Sequence, residues 1–370
     1  MLRTIFLILI LIGQGQAQET KKEIQDQRNP ARFHPNIKIL SSIKEYDDVR
    51  WCNLTKITAP LTFDLISTFW FNGETRFGTS NDIAQATLEK GKNPGLGVRS
   101  IHKKGITGRG VNVAIIDQNL CLNHPEFKGK VVQYKDVGCE TPPGRGSMHA
   151  PGVMSLLAGS TIGTAPDVQV YFAAAPSWTA DAKFQAEALE WIIDVNRSLP
   201  KRAKIRVVSV SAAPSGKGSP FQKNNGLWDK AVTAAKKAGL LVLDCTVDNG
   251  IIGPAFCDIN DPDDVKKCRP GFPGRPGGGP KDRVYAPCSA RTTAEEYDDG
   301  YPSYQYCGRG GLSWSIPYAA GVLALGWQVK PSLAADEIVK LLFKTAHLTT
   351  DGYKIINPVA FIHEIEKKKY

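Results

Sequence analysis

Ser313 lies in the run Gly311-Leu312-Ser313-Trp314-Ser315-Ile316-Pro317-Tyr318-Ala319-Ala320-Gly321, a setting that suits a nucleophile at the start of a helix. Gly311 lets the backbone turn tightly, Ser313 stands where an N-cap belongs, and the small residues 319 to 321 let the helix lie flush on a core. A helix start presents unpaired N–H groups and a positive dipole end, which can hold an oxyanion. A serine hydroxyl also needs a base, and the base needs an orienting acid. In Gly110-Val111-Asn112-Val113-Ala114-Ile115-Ile116-Asp117 an apolar run ends in a carboxylate, which reads as a buried parallel strand with Asp117 at its C-terminal tip. In the run Ser147 to Gly159, apolar residues 153, 156 and 157 recur at helical spacing, which puts His149 at a helix start. Taken singly, these are a cap serine, a core histidine and a turn acid. Taken together, they point to acyl transfer.

The elements that must position them alternate in type from Gly95 onward. Strands are predicted at 111–116, 168–174, 205–211 and 240–246, and helices at 149–158, 182–196, 226–238, 313–328 and 335–346. This is the pattern of an α/β fold in three layers, a mainly parallel central sheet with helices on both faces. The Gly/Pro-dense stretch from Arg269 to Pro280 breaks the alternation and reads as a surface loop, since its glycine spacing is not the sustained repeat of collagen.

The order Asp, His, Ser with these flanks resembles the subtilisin-like serine proteases, the subtilases. The Ser313 run is similar to the family's Gly-Thr-Ser-Met-Ala-x-Pro-x-x-Ala-Gly, retaining Gly311, Ser313, Pro317, Ala320 and Gly321. Ile115-Ile116-Asp117 followed by His124-Pro125-Glu126-Phe127 resembles the family's strand acid and its downstream turn, which makes His124 structural and leaves His149 as the base. Gly163-Thr164-Ala165-Pro166 and Ile355-Ile356-Asn357-Pro358 resemble two further family turns, so the likeness spans roughly 94 to 370. Val207-Val208-Ser209-Val210-Ser211 resembles the strand that pairs with substrate; the resemblance implies contacts at Ser209 and Ser211, with Ala212 and Ala213 leaving room for side chains. It also implies a subtilisin-like fold and a secreted endopeptidase working through Asp117, His149 and Ser313.

Three of the chain's departures from the pattern lie at or beside the catalytic groups. Ala150 replaces a glycine after the base, Leu312 replaces a threonine before the nucleophile, and the family's oxyanion asparagine falls in Leu243-Asp244-Cys245-Thr246-Val247-Asp248-Asn249-Gly250. The simplest register gives Asp248 that place, where an ionised carboxylate would repel the developing charge; a shift of one residue gives it to Asn249. These departures leave a second reading, a catalytically weak or inactive relative that acts as a binding or regulatory protein. An esterase on a doubly wound sheet fits less well, because it would want Gly-x-Ser-x-Gly and the order Ser, acid, His.

Residues 1–17 have a positive start, an apolar run from Ile5 to Ile12 and small residues up to Ala17, the pattern of a secretory signal peptide. Residues 18–93 form an N-terminal extension or a cleavable prosegment, and 94–370 the catalytic domain. Eight cysteines follow the expected cleavage site, where disulfides are permitted; the one local pairing suggested is Cys257 with Cys268. Cys245 reads as a buried free thiol in a strand. No metal motif appears and no cofactor is implied, although the acids of Asp258 to Asp264 leave a structural calcium ion as a minor reading. Asn53-Leu54-Thr55 and Asn196-Arg197-Ser198 have the form of glycosylation sequons. The net charge of +10 is dispersed and not interleaved with aromatics, which argues against nucleic acid; no apolar run reaches membrane length. The expected partners are protein or peptide substrates, and the expected state is a monomer.

Overall fold

Along Asn112–Asp117 every residue is buried, and successive side chains serve opposite faces. Val113 and Ile115 join one core cluster, whereas Ala114 and Ile116 join another. Such two-sided burial requires neighbours on both edges and layers on both faces. The computed structural model supplies them; it describes residues 37–139, 147–248, 250–272, 275–296 and 302–367. The expected leader at 1–17 and Asn249 lie outside the described residues.

The central sheet is all parallel, with spatial order Val131–Asp136, Gln169–Ala174, Asn112–Asp117, Ile205–Val210, Leu241–Leu243. One face carries the helices Ala150–Ala158, Leu312–Val329, Ala335–Thr345 and Pro358–Lys367. The other carries Lys183–Ser198 and Asn225–Lys237, whose Leu189, Ile192 and Trp228 are fully buried. A second sheet, with strands Ile252–Phe256 and Val284–Pro287 at its centre, packs against the Leu312–Val329 helix. The α/β architecture with helices on both faces is therefore as expected.

Two boundaries move. The strands expected to reach 211 and 246 stop at Val210 and Leu243, so Cys245 sits beyond its strand, half-buried. Asn196 is buried in a helix and its carboxamide oxygen accepts the N–H of Ile205 (2.8 Å), so it is packed away from any glycan.

The segment before residue 94 is knitted into the fold. Trp70–Asn72 pairs antiparallel with Pro302–Cys307, which in turn pairs with Arg291–Glu296. Ile66, Phe69, Phe71, Phe77 and Leu88 close a core with Tyr306. Trp70 Nε1 donates to Gln305 (2.8 Å), the Tyr306 hydroxyl to the carbonyl of Ser67 (2.8 Å), and the Thr292 hydroxyl to that of Leu88 (2.6 Å).

Among the described cysteines, Cys257 and Cys268 are bonded to each other, as the sequence suggested. The acids between them have internal donors. Asp258 and Asp261 face Lys267 (3.9 and 2.9 Å), Asp263 accepts the N–H of Gly97 (2.8 Å), and Asp264 that of Lys266 (2.9 Å). Among the described residues no group of three or more His, Cys, Asp or Glu converges as a metal cage, and no helix is long and apolar enough to cross a membrane.

Candidate active site

Asp117 ends its strand 8% exposed, with its Oδ1 accepting the N–H of Gln118 (2.8 Å). Across from it, His149 opens the Ala150–Ala158 helix, and its Nδ1 lies 2.8 Å from Asp117 Oδ1 and 3.1 Å from Oδ2. A carboxylate only accepts, so Nδ1–H donates and Nε2 keeps its lone pair. Loss of solvent around the ring favours the neutral form, but the charge and hydrogen bond of Asp117 outweigh it and hold the imidazole pKa above 6.5.

The helix that carries His149 owes its start to Ser147, a contribution the sequence reading missed. The Ser147 hydroxyl oxygen accepts from the N–H groups of Ala150 (3.0 Å) and His149 (3.3 Å), and Pro151 sits in the first turn, where its missing N–H costs nothing. The signal was the serine two residues ahead of the histidine. His124, by contrast, is fully buried: its Nδ1 accepts the N–H of Glu126 (3.1 Å), so Nε2–H donates to the carbonyl of Ser303 (3.0 Å). Its role is structural.

Ser313 lies one residue inside its helix. The cap is Gly311, in extended backbone, so the expectation that Ser313 is itself the cap is corrected. That shift frees its hydroxyl from the first-turn N–H groups. The hydroxyl donates to the carbonyl of Ser211 (3.3 Å), and the Ser211 hydroxyl donates back to the carbonyl of Ser313 (2.8 Å). No hydrogen bond joins Ser313 to His149 in this state. Trp314 bridges them: its ring stacks on the imidazole, centroids 5.7 Å apart and planes 18° from parallel. Glycines make room for the indole, since a Cβ on Gly152 would come within 2.8 Å of it and one on Gly310 within 2.9 Å.

Cys245 belongs to this site although sequence pattern assigned it to a strand. Desolvation pushes its thiol pKa far above the usual range, the charges of Asp244 and Asp117 add to this, and the neighbouring Ser313 hydroxyl opposes it. The thiol stays protonated beside the serine.

The substrate-strand residues separate into two groups. Ser209 is fully buried and lies between Ile115 and Leu243, with strands on both sides, so it offers no free edge to a peptide. That expectation is corrected, because Ile205–Val210 is an interior strand. Ser211 faces Ser313, and Ala212 and Ala213 are half-exposed just beyond it. The exposed Asp248 turns its carboxylate onto the N–H of Lys217 (2.8 Å).

The turn that contains Asp248 is held from below. Buried Arg283 donates to the carbonyls of Thr246 (3.3 Å), Val247 and Ile252 (3.5 Å). Asp244 accepts from the Thr246 hydroxyl (2.7 Å) and Trp228 Nε1 (3.1 Å); burial raises its pKa against the pull of these bonds and of Arg283.

Residues 108–268 match the model of the subtilase family. Over this stretch the chain is similar to the subtilases. Among solved structures, fervidolysin from Fervidobacterium pennivorans, a keratinolytic enzyme related to subtilisin, aligns with a TM-score of 0.54 at 16% identity over 72% of this chain. The chain spans 44% of fervidolysin's length. A protease from Pseudoalteromonas arctica aligns with a TM-score of 0.54 at 18% identity, covering 73% of this chain and 94% of that one. The fold is thus subtilisin-like, and the family match supports a peptidase function.

Proposed function

We propose that the protein is a secreted serine endopeptidase. The observation that carries this reading is the 2.8 Å bond from His149 to Asp117, which fixes the imidazole with Nε2 as its free base, beside a serine in the first turn of the Leu312–Val329 helix. In the proposed reaction the Ser313 hydroxyl leaves the Ser211 carbonyl and donates to Nε2 of His149. His149 then takes the proton as Ser313 attacks the scissile carbonyl, and returns it to the leaving amine; Asp117 holds the tautomer and stabilises the imidazolium. The acyl-enzyme is hydrolysed by the same steps with water as nucleophile. The backbone N–H of Ser313 supplies one oxyanion donor, and we assign the second to Asn249, because Asp248 is turned onto Lys217. The substrate runs as an extended strand beside Ser211, Ala212 and Ala213, and export rests on the leader at 1–17.

A fluorophosphonate probe tests the nucleophile. The wild-type protein becomes labelled at Ser313, Ser313→Ala does not, and prior alkylation at neutral pH leaves labelling unchanged because the Cys245 thiol is protonated. A wild-type protein that resists the probe while Ser313→Ala keeps the same melting temperature would sink the reading. It would favour the second one, a non-catalytic relative, for which the Ser313–Ser211 bond in place of a Ser313–His149 bond is the supporting observation.

A further inference from the structure

A cavity of about 740 Å³ opens between the N-terminal segment and the loop closed by Cys257–Cys268. Its apolar lining includes Tyr46, Phe256 and Ile259, and its charged lining is unbalanced. Asp258 is the one acid there; its carboxylate accepts the N–H of Asn260 (2.8 Å) and lies 3.9 Å from Lys267. Lys267 is further satisfied by Asp261 at 2.9 Å. The side chains of Lys266, Arg269 and Arg275 line the same cavity, all exposed, and among the described residues none of the three has an ion pair or hydrogen bond. A concave, part-apolar space with unpaired cations suits a ligand that brings carboxylates on short aliphatic stems.

The cavity is tied to the candidate nucleophile by the chain itself. Gly308 and Arg309 form part of its wall, and four residues further on stands Ser313. Four residues of chain bound that separation to about 14 Å, the reach of about four residues of extended peptide. A peptide that runs from Ser313 toward Arg309 comes within reach of this wall of the cavity. Building on the endopeptidase reading, we propose that this cavity is a specificity subsite for acidic side chains, Glu or Asp, lying within about four residues of the scissile bond.

Binding of labelled peptides to the full-length Ser313→Ala protein tests this without relying on turnover. Peptides that carry Glu at successive positions are compared with their Gln counterparts. At one or two adjacent positions Glu binds about tenfold tighter at low salt, the sum of a few modest exposed ion pairs; the preference shrinks at high salt and disappears in Lys266→Gln/Arg269→Gln/Arg275→Gln. The salt dependence needs no variant, so it stands even if the triple substitution disturbs the loop. Equal binding of Glu and Gln peptides at every position overturns the proposal, as does a Glu preference unchanged in a triple variant of native melting temperature. A sulfated oligosaccharide that competes as well as the Glu peptide also overturns it. Since the readout is binding to an inactive variant, absence of peptidase activity in the wild type leaves this result interpretable, and the fluorophosphonate label reports on that reading separately.

Discussion

At the scale of single residues, His149 sets the pH dependence. Its pKa is held above 6.5, so it stays protonated, and inactive as a base, to higher pH than a free imidazole. The rate therefore rises with pH through a midpoint above 6.5, and kcat/KM measured across pH checks it. Stability runs the other way in the same window. The imidazolium–Asp117 attraction stabilises the fold in full below the unfolded imidazole pKa and is lost as pH rises through the raised folded value. In Asp117→Asn the acid limb moves down and the remaining rate falls by about ten-thousandfold, through the wrong tautomer. An unmoved limb would mean that His149 is not the titrating base. The oxyanion assignment has its own residue test: Asn249→Ala loses about a hundredfold or more in kcat with KM little changed, whereas Asp248→Asn changes little because that carboxylate serves Lys217. A large gain from Asp248→Asn near neutral pH would place Asp248 in the site after all.

At the scale of elements, the legible parts were those whose pattern is local. The Asp117 strand and the His149 and Ser313 helices lie within a residue or two of expectation, because apolar period and flanking glycines mark them. Val131–Asp136 went unseen because it is an edge strand with four exposed residues of six, and the paired strands Arg291–Glu296 and Pro302–Cys307 because several of their polar side chains, Thr292, Thr293 and Gln305 among them, are buried by partners far away in sequence. The end of the 205–210 strand was misplaced for the same reason: only its neighbours show that Ser209 is interior. Arg283 was equally invisible, since a lone arginine gives no sign that it will hold three carbonyls. Its removal strands those acceptors and leaves Asp244 without a nearby cation, so Arg283→Ala destabilises by about 3 kcal/mol or more. Because the same turn precedes Asn249, kcat falls as well. Thermal unfolding and single-turnover kinetics read the two effects; an unchanged melting temperature would show that the turn is held by something else.

At the scale of the whole molecule, the open question from sequence was whether residues 18–93 are a prosegment to be discarded. The packing favours retention of the part the structure describes. Ile66, Phe69, Phe71, Phe77 and Leu88, at about 2 kcal/mol for each buried side chain, represent on the order of 10 kcal/mol, an upper bound comparable with the whole stability of a domain. The segment also supplies the edge strand Trp70–Asn72 to Pro302–Cys307, whose C-terminal end leads through Gly308 to Gly311 into the nucleophile helix. Removing it would expose an unpaired strand edge and the Tyr306 ring, a short step of chain before the helix cap at Gly311. Expression without residues 18–93 should therefore yield insoluble or inactive protein, and limited proteolysis of the full chain should leave 37–93 associated with the active species. A prosegment would behave in the opposite way, with activity appearing only after its release. Intact-mass analysis of the fluorophosphonate-labelled species decides between them: a labelled, monodisperse form that lacks residues 37–93 would show that the docked segment is a chaperone to be shed, and that the sheet it completes holds without it.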